Sequence, residues 1–186
     1  MNPEDNKYTR VEFERRFLVS SDESWRKSAE TYSKTYEDKY LRGSRLRLRI
    51  LKDSDSDRCV IKLNKKFESP SPYFRTVSRI LLSHEEYKLL FSLEGDRLTK
   101  IRHYCNHLGR VFSIDVFGGE LQGLVISEIE ADSLEDLMSA EPPPYVTKEV
   151  TNDSFFDGGS LCRTRREDLL RKLGEVAGAI DNISTV

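Results

Sequence analysis

Charged residues recur at every second position in five separate stretches of the chain, mostly with one sign per stretch. The first, VEFERRFLV at residues 11–19, spaces Glu12, Glu14 and Arg16 two apart among Val11, Phe13 and Phe17. Successive side chains of a strand point to opposite faces, so this spacing predicts a strand with one charged and one mostly apolar face. The alternation over residues 44–51 likewise sets Arg45, Arg47 and Arg49 against Leu46, Leu48 and Ile50. Lys62, then Lys100 and Arg102, then Asp115, then Glu128 and Glu130 fall on further charged faces, opposed by Ile61, Ile101, Ile114, Val116 and Ile129.

Taken singly, each such strand describes a solvated face over an apolar core. Taken together they ask for counter-charges, because a merely solvated surface intersperses its signs instead of grouping them along strands. An antiparallel sheet closed with its charged face inward answers that demand, and about eight strands is the size that encloses one small ligand. The expected fold is α+β: a closed eight-stranded antiparallel β-barrel with a charged interior and flanking helices over its apolar outside.

The remaining elements follow from local signals. A loose polar terminus covers the first ten residues, and a helix is expected from Ser21 or Asp22 through Trp25 and Ala29 towards Tyr32. A strand over 39–52 and its hairpin partner over 58–64 flank the turn DSDSD. That turn begins like a calcium loop, but Arg58 stands where glycine is required and Asn64 where a glutamate is, so a solvated turn is expected. A loop over 65–73 leads to a strand over 74–81. Ser83 and Glu86 form a capping box for a helix over 84–94. Strands over 98–105, 110–117 and 124–131, a short helix led by Ser133 and Asp136, the KEVT segment and a final helix over 163–179 complete the chain. His103 and His107 have metal-like spacing only on a helix, and they straddle a strand and the NHLG turn.

No stretch rich in Pro, Gly or Ser divides the 186 residues, so a single domain over 1–186 is expected. A net charge of −2 argues against a protein built to coat nucleic acid or an anionic membrane. No signal-peptide core and no membrane-length apolar run is present, and Cys59, Cys105 and Cys162 are odd in number and widely spaced. These features predict a soluble cytoplasmic protein with reduced thiols. Oligomeric state is not legible.

Two carboxylates held side by side repel each other, and a divalent cation is the usual remedy. Interior cations cost several kcal/mol each when unpaired, so a tunnel of them needs an anionic guest or internal pairing. Carboxylate and phosphate oxygens around a hard cation describe a Mg²⁺ or Mn²⁺ polyphosphate site, with arginine forks on the phosphates.

These residues, in this order, resemble the CYTH proteins, the triphosphate tunnel metalloenzymes, over roughly residues 10–162. The family's ExExK is similar to Glu12, Glu14 and Arg16; its RxR to Arg47 and Arg49; its TIK to VIK ending at Lys62; and its KxR to Lys100 and Arg102. Its WEIDxF resembles FSIDVF with Asp115, its AEIE resembles SEIE with Glu128 and Glu130, and its EVT matches Glu149, Val150 and Thr151. The resemblance implies an eight-stranded tunnel that hydrolyses a triphosphate, either inorganic tripolyphosphate or a nucleoside or organic triphosphate. A non-catalytic triphosphate or polyphosphate sensor and an adenylate cyclase are the alternatives. It implies Mg²⁺ or Mn²⁺ on Glu12, Glu14, Asp115, Glu128 and Glu130, and the phosphates on Arg45, Arg47, Arg49, Lys62 and Arg102. Arg16 and Lys100 are the candidate catalytic residues; Arg16 replaces the signature lysine, and its guanidinium can bind phosphate or order a water but cannot act as a base. Arg75, Thr76, Ser78 and Arg79 stand on a strand where acids are common in the family. RNA would enter only as a 5′-triphosphate end.

Overall fold

The computed structural model describes residues 8–183. Its strands are β1 (Thr9–Val19), β2 (Ala29–Leu41), β3 (Leu46–Asp53), β4 (Cys59–Lys66), β5 (Phe74–Leu81), β6 (Gly95–His107), β7 (Arg110–Phe117), β8 (Val125–Ala131) and β9 (Val146–Glu149). The helices are α1 (His84–Phe91), α2 (Leu134–Met138), α3 (Gly158–Leu161) and α4 (Arg166–Ile183). Neighbouring strands run β5-β4-β3-β2-β6-β7-β8-β1, and β5 pairs back onto β1, so eight antiparallel strands close into a barrel. β9 is additional. β5 pairs with residues 9–13 of one β1 edge and β9 with residues 17–19 of that same edge, prolonging the wall where β5 stops.

Register carries the alternating faces around the wall. Arg49 stands opposite Asp38 and Lys62, Arg102 opposite Lys34 and Asp115, and Lys100 opposite Tyr36 and Phe117. Glu128 stands opposite Arg16 and Ser113, and Glu130 opposite Glu14. Cross-strand partners share a face of the pleat, so the charged positions of all these strands line one interior.

The apolar outer face is covered piecewise. Phe17, Phe112 and Ile129 pack under Leu137 of α2, while Trp25, Cys105, Ile114 and Tyr145 form a second cluster. The third cluster closes one end of the tunnel: Leu18, Leu98, Phe117 and Ile126 meet Phe156, Leu161 and Leu169 from the C-terminal segment. Among the described residues, no helix is long and apolar enough to cross a membrane.

Four local expectations need correction. Residues 24–28 form a short 3₁₀ turn, and the segment expected to continue as a helix is instead the strand β2. Trp25 and Ala29 do enter the core, but Thr31, Tyr32, Thr35 and Tyr36 favour a pleated, half-buried surface over a helix. The run 39–52 is two strands, divided by a turn with Gly43 at φ +68°, a conformation that favours glycine. Arg45 lies in that turn, off the strand. The loop expected from residue 65 starts later, because β4 runs on to Lys66. The first seven residues of the expected loose terminus lie outside the described residues, and β1 has already begun at Thr9.

Candidate active site

One cavity of about 430 Å³ opens into the upper tunnel, and Glu14, Arg16, Arg45, Arg47, Lys66, Arg75, Lys100 and Glu128 are on its walls. Its apolar roof is Leu98, Phe117, Ile126 and Phe156, part of the cluster that closes the upper end. A polar guest therefore meets cations and carboxylates along the sides and no route through the capped end.

Deeper inside, the charges are organised around two buried aspartates. Asp38 is 3% exposed and accepts two bonds from Arg49, each 2.6 Å, with Arg47 at 3.9 Å. Burial alone would raise its pKa, but Arg49 and Arg47 overcome this and hold it at about 2. Asp115 is fully buried and bonds to Lys100 and to both forks of Arg102. Tyr36 stacks between these groups, its ring centroid 4.6 Å from Arg49, 5.2 Å from Arg102 and 5.6 Å from Lys100. Burial pushes the Lys100 ammonium below its ordinary pKa against the pull of Asp115, and Arg102 adds to the depression.

The four glutamates line adjacent strands. Glu12 accepts from Arg10 at 2.7 Å and from Arg79 at 2.8 Å. Glu14 has Lys66 at 3.7 Å, and Glu128 accepts from Arg102. Burial opposes ionisation of Glu128, yet Arg102, Lys100 and Arg16 hold its pKa well below the usual carboxylate range. Glu130 differs from the rest. It stands directly opposite Glu14, takes no ion pair among the described residues, and its pKa is raised by burial and then by Glu12, Glu128 and Glu14. Although water reaches it, the surrounding wall and its like-charged neighbours both disfavour its ionised form.

That crowding is the observation that fits a hard cation, since carboxylate oxygens from Glu14, Glu128 and Glu130 are the donors such an ion takes. Among the described residues, no three His, Cys, Asp or Glu side chains are already gathered as a coordination set. Asp115, expected with the glutamates, is instead enclosed by Lys100 and Arg102.

Arg16 turns its two terminal nitrogens to the C-terminal segment: Nη1 donates to the Phe156 carbonyl at 2.9 Å and pairs with Asp157 at 2.7 Å, Nη2 donates to the Thr151 carbonyl at 3.2 Å, and the buried Nε has no partner among the described residues. Arg45 reaches the cavity from its turn and pairs with Glu68. Arg47 and Lys62 line the wall beside Asn64. His103 packs on Trp25, with ring centroids 5.1 Å apart.

Sequence reasoning did not single out Tyr36, Asp38, Asn64 or Lys66. The first two lie on β2, in the stretch between the expected helix, which ended near Tyr32, and the strand expected from residue 39, although Tyr36, Asp38 and Tyr40 alternate as strand residues do. Asn64 and Lys66 continue the alternation of Lys62 into the stretch read as hairpin end and loop.

No family model matches the chain. It is similar to an inorganic triphosphatase of Nitrosomonas europaea, 29% identical over 165 residues that cover 82% of this chain and 97% of that protein. Among solved structures it is similar to that of an inorganic triphosphatase, with a TM-score of 0.52, 22% identity, and 82% and 95% of the two chains covered. A protein of Pyrococcus horikoshii OT3 matches with a TM-score of 0.51 and 17% identity over 68% of this chain and 82% of that one. These structural likenesses confirm the tunnel-like barrel.

Proposed function

We propose that the chain is a CYTH-type enzyme that hydrolyses a triphosphate, inorganic tripolyphosphate first among them, in the upper tunnel. The observation that carries this is the cavity itself, where Arg45, Arg47, Lys66 and Arg75 face Glu14 and Glu128 across one small volume. The similarity to an inorganic triphosphatase along nearly that protein's whole length supports the same substrate class.

Arg45, Arg47, Lys66 and Arg75 bind the phosphate oxygens, with the arginine forks fixing orientation as well as charge. Arg49 and Arg102 are held by Asp38 and Asp115 behind the cavity lining, so their charges are already oriented and need no rearrangement as charge develops. Lys100, with its depressed pKa and its place on the cavity wall, gives a proton to the departing phosphate oxygen. Arg16 acts as a positioning residue by holding residues 151–157 against the cavity. Mg²⁺ or Mn²⁺ bound by Glu14, Glu128 and Glu130, with Glu12 beside them, would supply charge neutralisation and a more acidic attacking water. Phosphoryl transfer depends mainly on such positioning and charge stabilisation.

Phosphate release from tripolyphosphate, nucleoside triphosphates and thiamine triphosphate, with Mg²⁺ and with Mn²⁺ on one preparation, tests this. Metal-dependent release that falls by at least about a hundredfold in Glu128→Gln is expected. Absence of release from every compound in the panel would overturn it.

A further inference from the structure

Three inward side chains on one rung of the wall hold buried polar atoms that meet no partner among the described residues. Across β3, β4 and β5, Arg47 stands opposite Asn64, and Asn64 opposite Arg79. Arg47 Nε, Arg79 Nε and both Nδ2 and Oδ1 of Asn64 are buried with no hydrogen-bond partner among the described residues. Asn64 is 1% exposed, yet it lines the cavity. Buried polar groups are nearly always satisfied, so three unpaired donors, Asn64 Nδ2 and the two guanidinium Nε groups, point to a guest rich in acceptor oxygens, while the Asn64 Oδ1 acceptor calls for a donor such as water.

One rung below, Lys62 faces inward between Arg49 and Leu81 and makes no ion pair among the described residues. Burial lowers its pKa, and Arg79, Arg49, Lys34 and Arg10 add to the depression. The carboxylates facing this region are committed or distant: Glu12 serves Arg10 and Arg79, Asp38 serves Arg49 and Arg47, Asp53 lies 3.5 Å from Lys34, and Glu130 acts on Arg79 from β8. The lower mouth therefore carries excess positive charge. β4 sets Lys66, Asn64 and Lys62 in line over roughly 13 Å, joining the upper cavity to that mouth.

We propose that Asn64, Arg79 and Lys62 form a subsite for a further phosphoryl group below the upper cavity. The tunnel then binds linear polyphosphates of four or more phosphoryl groups in preference to tripolyphosphate. This inference rests on the phosphate-binding part of the function proposed above. Asn64 Nδ2 and Arg79 Nε donate to oxygens of the additional group, and Lys62 neutralises its charge.

Calorimetric titration of tripolyphosphate and of tetrapolyphosphate into the full chain, in EDTA so that nothing turns over, tests it. Tetrapolyphosphate is expected to bind about tenfold more tightly. Asn64→Ala and Arg79→Gln should bring the two dissociation constants close together, and Arg79→Lys should keep most of the preference. Melting temperatures of the variants verify folding, and the wild-type ratio needs no variant. Equal affinities in the wild type, or a preference intact in both Asn64→Ala and Arg79→Gln, overturn the subsite. Tripolyphosphate hydrolysis on the same preparations separates the two ideas: hydrolysis without the preference sinks the subsite alone, and the preference without hydrolysis supports the subsite and sinks only the enzyme. Failure of both compounds to bind in EDTA sinks the subsite, and the hydrolysis measured with metal then decides the enzyme by itself.

Discussion

At the scale of single residues, the tunnel depends on carboxylates that keep its cations paired. Asp38 is the clearest case, because removing its charge leaves Arg49 and Arg47 facing each other inside the wall. Breaking a buried pair costs on the order of 3–5 kcal/mol, so Asp38→Asn should lose about that much stability near neutral pH, read by chemical denaturation. The pH dependence has a definite sign. The folded pKa of about 2 lies below the ordinary 3.8, so the contribution is fully present above that value and is lost as pH falls towards 2. Its size is about 2 kcal/mol. The wild type should therefore lose more stability than Asp38→Asn across that window, and parallel curves would show that the carboxylate is not ion-paired. Arg16 makes a second test. A lysine there keeps the charge but lacks the fork that reaches both the Phe156 and Thr151 carbonyls, so Arg16→Lys should cost roughly 1–3 kcal/mol. A melting temperature equal to that of the wild type would remove Arg16 from its role as a strut.

At the scale of elements, most of the wall was legible because period-two alternation is an intrinsic mark of a half-buried strand. β1, β4 and β6–β8 were found from alternation, and α1 from a capping box whose two reciprocal bonds both form. β2 was not legible. Its neighbours decide it: Lys34, Tyr36, Asp38 and Tyr40 stand opposite residues of β3 and β6, with Asp38 paired to Arg49, and a local pattern of Trp25, Ala29 and Tyr32 imitates a helical stripe. The C-terminal cap was equally hidden, since nothing local announces that α3 must lie on Tyr40. A Cβ at Gly158 would stand 2.1 Å from the Tyr40 hydroxyl oxygen, so the glycine is what lets α3 approach β2. Gly158→Ala should cost about 1–3 kcal/mol by overpacking. The double variant with Tyr40→Phe should recover part of that loss in thermal melts, and no recovery would place the strain elsewhere.

At the scale of the whole molecule, closure brings strands distant in sequence together, and with them carboxylates that would not otherwise share a site. Glu14 and Glu130 come from strands more than a hundred residues apart, yet closure through β1 and β8 sets them face to face. The alternation in each strand foretold a charged interior; it could not foretell that Asp115 would be enclosed by cations while Glu130 would be left among like charges. This asymmetry has a thermodynamic consequence. The folded pKa of Glu130 is raised above 4.5, first by burial and then by Glu12, Glu128 and Glu14. Its contribution to stability is thus fully present below 4.5 and is lost as pH rises through the raised value. On the metal site proposed above, a divalent cation would offset that loss by taking the ionised carboxylate, and its binding would release the proton that Glu130 retains. Metal-induced stabilisation should therefore grow with pH across this window. At a concentration of a hundred times the dissociation constant it reaches about 2.7 kcal/mol. For a domain of this size that is a rise of roughly 5–10 °C in melting temperature. Melts with and without Mn²⁺ at pH 5 and pH 7.5 should show the larger rise at the higher pH, and Glu130→Gln should flatten the difference. If the rise is the same at both pH values, or keeps its pH dependence in Glu130→Gln, the crowded glutamate is not the group that the metal relieves.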